Sequence, residues 1–141
     1  MTLRSVLSFL AAYVTWVVAF WSPIFLTSIV WLPLQQTGQQ FWAEQRYDIF
    51  PTDQLVLFQV VWLFANGAVG FVSRLVAKRD IEVYVVAGLL FVYFAYNHWW
   101  ALWGVMPDWY NFIVVIPVIP MVLAGSAIAK RFANRWQVQT T

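Results

Sequence analysis

The chain has no cysteine and a single histidine, His98. Without cysteine there is no disulfide, no thiolate nucleophile and no Cys-ligated zinc or iron–sulfur site. One histidine with Asp108 nearby gives too few donors for a zinc or two-metal centre. Charge is scarce too: Asp, Glu, Lys and Arg make up 10% of the residues, and a net charge of +2 does not mark a nucleic-acid partner. No Walker A, GxGxxG or GxSxG motif occurs, so neither a nucleotide cradle nor a nucleophile elbow is encoded. These absences point away from an enzyme. No Asp, Glu, Lys or Arg lies at the centre of an apolar run, which argues against a proton-driven transporter.

What the chain has in excess is apolar surface. Of its 141 residues 62% are hydrophobic, and a soluble fold of this size cannot bury so much, because its surface is large relative to its volume. Lipid is the expected solvent. Four runs are long enough to cross a bilayer, which takes roughly 20 apolar residues: residues 5–34, 55–73, 81–103 and 112–129. The first, as one straight helix, would be about 45 Å long, against a hydrocarbon core about 30 Å thick. A tilt, a bend near Pro23 or an interfacial second part is therefore expected, with Ser22, Thr27 or Ser28 satisfying backbone that the proline loosens. Arg4 before this run resembles a secretory signal, but the run is longer than a signal core and no small-residue cleavage site follows, so a retained anchor is expected. Pro117 and Pro120 should kink the fourth run.

Between the first two runs, residues 35–54 mix Glu44, Arg46, Asp48 and Asp53 with Phe41, Trp42, Tyr47 and Phe50. This pattern fits an external amphipathic loop or short helix on the membrane surface. Four spans put Arg4, Arg74, Lys78, Arg79, Lys130, Arg131 and Arg135 on one side, seven of the eight basic residues, and Arg46 alone on the other. The positive-inside rule then makes both termini cytoplasmic. The expected fold is all-α, an integral membrane four-helix bundle forming one domain over residues 1–141, with kinked first and fourth helices. It belongs in a plasma membrane, the bacterial inner membrane being the best fit.

Small residues at helical spacing, Gly70 and Ser73 in the second span and Gly125 and Ala129 in the fourth, predict close helix packing. At the third span's outer end Trp99, Trp100, Trp103, Trp109 and Tyr110 predict interface anchors, since each carries an apolar ring with one polar handle. Gln59 and Asn66 lie within the second span; they read either as glue between helices or as a polar pocket lining. His98 has three readings: an interfacial residue bonded to water or headgroups, a contact with a ligand or partner subunit formed with Tyr93, Asn97, Asp108 and Asn111, or an axial ligand of a ring-bound metal. Trp16, Trp21 and Trp62 read as packing or lipid contacts.

Ala95 to His98 followed by the Trp-rich end is similar, over those few residues, to light-harvesting polypeptides, though the spacing differs; that likeness implies pigment ligation by His98. Small size and tryptophan richness also resemble the porphyrin-binding tryptophan-rich sensory proteins, whose five helices and Trp and Pro motifs are not present. The leading expectation is a non-catalytic accessory or assembly subunit of a larger membrane complex, with lipids and other membrane subunits or a second copy as partners and no nucleic acid. The alternative is a carrier or binding protein for an apolar or aromatic ligand: a lipid, quinone or pigment.

Overall fold

A computed structural model of the chain describes residues 3–139, with side chains through residue 135. Residues 1, 2, 140 and 141 of the single-domain range lie outside the described residues. The described part is helical throughout, without strands: α1 (Leu3–Val30), α2 (Leu32–Glu44), α3 (Thr52–Ala77), α4 (Asp80–Tyr96), a π-helical turn (Asn97–Ala101), α5 (Asp108–Val115) and α6 (Val118–Gln139). Four stretches are long and apolar enough to cross a membrane: Leu3–Val30, Thr52–Ala77, Asp80–Ala101 and Asp108–Arg135.

The first span ends earlier than the apolar run. α1 continues as helix through Pro23, and the chain breaks at Trp31, whose φ of −111° and ψ of 91° are extended. The physical reason is Pro33, which has no N–H to give to the turn before it but is well suited to the first turn of a new helix, where N–H groups lack partners anyway. Residues 32–44 therefore form α2, so the first half of the polar segment is helix. Ser28 Oγ donates to Phe25 O at 2.7 Å, not to the carbonyl of Ala19 that Pro23 leaves free. α2 ends at Gln45, in the left-handed region with φ 53°, whose N–H bonds Phe41 O at 2.7 Å.

α3 is the central helix, packed along α1 on one side and α6 on the other, with α4 beside both α3 and α6. Two apolar clusters fill the bundle. One joins Leu55, Trp62, Phe94, Met106, Tyr110, Val114, Val115 and Val118; the other joins Ala12, Val69, Val83, Val86, Ala87 and Val122. Trp62 sits at the meeting point of three rings, 4.0 Å from Phe94 and 5.5 Å from both Trp16 and Phe20 between ring centres.

The α3–α6 contact is made by backbone. A Cβ added to Gly70 would collide with the Val122 carbonyl, and one added to Gly125 would collide with the Gly67 carbonyl. Ser73 and Ala129 are fully buried. In lipid, where burial of apolar side chains gives helices little reason to associate, such backbone approach gains dispersion contacts that larger residues would block.

The basic segments meet at one end of the bundle. Arg74 bonds Asp80 at 2.7 Å, Lys130 lies 3.6 Å from the same carboxylate, and Arg79 lies 3.7 Å from Glu82. These pairs join the ends of α3 and α4 to α6. Ser5 Oγ donates to Glu82 Oε1 at 3.3 Å and Ser8 Oγ to Ser73 O at 3.3 Å, which brings the start of α1 to the same end.

Gly70→Ala and Gly125→Ala should each destabilise the protein by at least about 1–3 kcal/mol, the usual cost of overpacking. Gly88→Ala, whose Cβ would meet nothing within 4 Å, should be neutral or slightly stabilising because alanine favours helix. Thermal unfolding in detergent compares the three; equal effects would mean that the α3–α6 approach does not hold the bundle.

Candidate ligand cavity

α2 returns over the half of the bundle away from the basic end and is fastened there by both polar and aromatic contacts. Gln54 Nε2, from the first turn of α3, donates to Thr37 Oγ1 at 3.1 Å, and Thr37 Oγ1 in turn donates to Pro33 O at 2.9 Å. A chain of rings continues the link: Phe41 lies 5.0 Å from Tyr47 and 5.6 Å from Phe50, which lies 5.2 Å from Phe58. Such edge and tilted pairs add to the burial of their area. In the connecting turn Arg46 holds Asp48 by two hydrogen bonds of 3.1 and 2.6 Å, and these bonds keep the Asp48 carboxyl below its ordinary range.

Between α2, the C-terminal half of α1 and the inner helices lies a cavity of about 1200 Å³. Trp16, Phe20 and Phe25 of α1 form one wall, and Phe58, Trp62 and Phe94 another. Gln35, Gly38, Gln39 and Gln45 come from α2 and its cap, and Tyr93, Asn97, His98 and Tyr110 lie on the side of the π-helical turn. Trp21, Trp42 and Tyr93, which also line it, are exposed, so the cavity is open to its surroundings. Its volume is somewhat above that of most small-molecule sites, which span about 300–1,000 Å³. None of the residues around it is Asp, Glu, Lys or Arg.

His98 is held by a defined partner. Asn111, fully buried, donates from Nδ2 to Met106 O at 3.2 Å, which leaves its Oδ1 3.1 Å from His98 Nδ1. An amide oxygen only accepts, so the proton between them sits on Nδ1, and in the neutral form of the ring the lone pair is on Nε2. Nε2 has no hydrogen-bond partner among the described residues. The π-helical turn, closed by Leu102 N–H on Asn97 O at 2.8 Å, inserts one extra residue into the third span and turns His98 toward α5. Such turns recur at functional sites.

Of the residues singled out from the sequence, Tyr93, Asn97 and His98 line the cavity, and Asn111 supports His98 from behind. Asn97 Nδ2 also donates to Tyr93 O at 2.7 Å. Asp108 is exposed in the first turn of α5, where its charge favours the helix N-terminus; it does not line the cavity. Tyr110, grouped with the anchors, is buried at 6% exposure and lines the cavity with its ring centre 5.9 Å from His98. The helical turn of α5 carries it inward, while Trp100, in the π-helical turn, is 78% exposed. Trp99, Trp103 and Trp109 are also exposed, Trp99 and Trp103 forming a shallow groove with Phe112.

Gln59 and Asn66 lie away from the cavity. Pro117 deprives the Ile113 carbonyl of its helical partner, and Gln59 Nε2 supplies one at 3.0 Å; Trp62 Nε1 donates to the next carbonyl, Val114 O, also at 3.0 Å. α3 thus satisfies the break between α5 and α6, as buried backbone in lipid requires. Asn66, fully buried, donates to Trp62 O on its own helix at 2.9 Å. Sequence reasoning missed Trp16 and Trp62 as cavity walls and the α2 glutamines as lining; the signal for the glutamines was their interleaving with Phe41 and Trp42.

Gln59→Leu is expected to cost about 1–3 kcal/mol, because it leaves a buried carbonyl unsatisfied. The cost should shrink when Pro117→Ala restores an N–H at position 117, a coupling that a double-mutant cycle measures by unfolding titration in detergent. Additive effects would rule out this role for Gln59. No family model, curated protein or solved structure matches the chain.

Proposed function

We propose that this is a membrane binding or carrier protein for an uncharged apolar or aromatic ligand, held in the cavity beneath α2. The observation that carries the reading is the cavity itself: about 1200 Å³, walled by Trp, Phe and Tyr rings, with neutral polar groups and no fixed charge around it. Aromatic walls with a few placed polar groups are the usual make-up of a small-molecule site. An ionised head would lose its hydration there without gaining a counter-charge. The seven basic residues grouped by span count support an orientation with both termini in the cytoplasm, α2 on the external face and the whole in a bacterial inner membrane. The interruption of the fourth span at Ile116 and Pro117 supports a kink there.

A second reading, an accessory subunit of a larger membrane complex, is favoured by α1. Only Ser5, Ser8 and Ala12 of its 28 residues are buried, so a long apolar face is left for lipid or for another subunit. The two readings part at purification from native membrane: a binding protein carries a small molecule, and a subunit carries a protein.

Gly38 lines the cavity, and a Cβ there would meet nothing within 4 Å, so Gly38→Trp should fill the cavity without disturbing the fold. Native mass spectrometry is expected to find a neutral small molecule on the parent protein and at least about tenfold less on the variant, as loss of a pocket implies. A ligand-free parent protein would sink the reading. The absence of native cysteine lets orientation be read from single cysteines: Glu44→Cys should react with an impermeant maleimide from outside and Arg131→Cys only after the membrane is opened.

A further inference from the structure

We infer that the cavity selects the hydroxyl-bearing form of a ring ligand over its carbonyl form, with His98 Nε2 accepting the hydroxyl hydrogen. This rests on the cavity being a binding site and goes further, to the chemistry of the head that it takes. The Asn111 side chain is anchored on Met106 O and fixes the proton of His98 on Nδ1. In the neutral ring Nε2 therefore only accepts. A quinone carbonyl or an ether has no hydrogen to give it and leaves the lone pair unpaired on binding; a hydroquinone or phenol O–H satisfies it.

The surroundings narrow the class further. With no charged residue lining the cavity, phosphate and carboxylate heads are disfavoured. Trp62, whose ring centre is 6.5 Å from that of His98, and Phe94, 4.0 Å from Trp62, offer ring faces and edges beside the acceptor, which suits an aromatic head. Tyr110 lines the same end. Its O–H donates to a carbonyl and a hydroxyl alike, so discrimination falls to His98. Asn111 does not line the cavity and is a positioning residue.

The test is isothermal titration of the full-length protein in lipid nanodiscs, under anaerobic conditions, with duroquinol, duroquinone and duroquinol dimethyl ether, which share one ring. The expected result is that duroquinol binds roughly ten- to a hundredfold more tightly than the two rings without a donor, the range of one buried hydrogen bond. His98→Phe should remove that gap while the duroquinone affinity stays within about threefold, since only the acceptor is lost. Asn111→Leu should narrow the gap, because a freed imidazole can present either nitrogen as donor. Equal binding of the three rings, or tighter binding of duroquinone, overturns the inference and leaves the cavity as a binding site. Binding of none overturns both. The comparison on the parent protein stands if a variant fails to fold.

Discussion

The bundle depends on the approach of α3 and α6 backbone to backbone at Gly67, Gly70 and Gly125. Lipid gives helices little hydrophobic reason to associate, so contact must come from dispersion at short range and from hydrogen bonds. Glycine provides the first by having no Cβ. The second follows from it: with α3 this close, Gln59 and Trp62 reach the Ile113 and Val114 carbonyls that the break at Pro117 exposes. A proline that would be costly in isolation is thereby tolerated, and α5 is free to turn away from α6.

That turn is what places the cavity. α5 carries Tyr110 and Asn111 inward, Asn111 meets His98 on the π-helical turn, and Trp62 connects this corner to Trp16 and Phe20 of α1. The polar groups divide by depth and partner. The Gln59 and Asn66 amide N–H groups and Trp62 Nε1 are each given to a backbone carbonyl, while Gln59 Oε1 and Asn66 Oδ1 stay buried away from the cavity without a partner among the described residues. His98 also has one nitrogen bound and one without a partner, and unlike those two amides it lines the cavity. A half-satisfied histidine in a cavity without fixed charge is an acceptor suited to a neutral ligand, which is why the binding reading is placed ahead of the subunit reading.

Much of this was legible in the residues taken one by one. The four spans could be counted because apolar runs of that length have no soluble alternative, and the small residues at 70, 73, 125 and 129 mark a helix face by spacing alone. The end of the first span was not. A run of apolar residues gives no sign of where helix stops, and the break came eight residues after Pro23, at Trp31, because Pro33 could start a helix as readily as interrupt one. Tyr110 was misread for a related reason: next to Trp109 it has the composition of an anchor, and only the helical phase of α5 decides which of the two faces in.

By itself the sequence determined that four stretches are long and apolar enough to cross a membrane and where the few polar groups lie along each of them. These are properties of local composition, and solvent acts on them residue by residue. The tertiary structure decided which polar groups are consumed and which are left. Gln59 and His98 are both polar side chains in apolar spans; the Gln59 amide N–H is given to a carbonyl 54 residues away in the chain and lies away from the cavity, whereas His98 is held by Asn111, 13 residues on, and lines it. Hydrogen-bond partners at such separations are chosen by how helices pack and not by sequence spacing, so the existence of the cavity and the chemistry it presents could be read only from the folded chain.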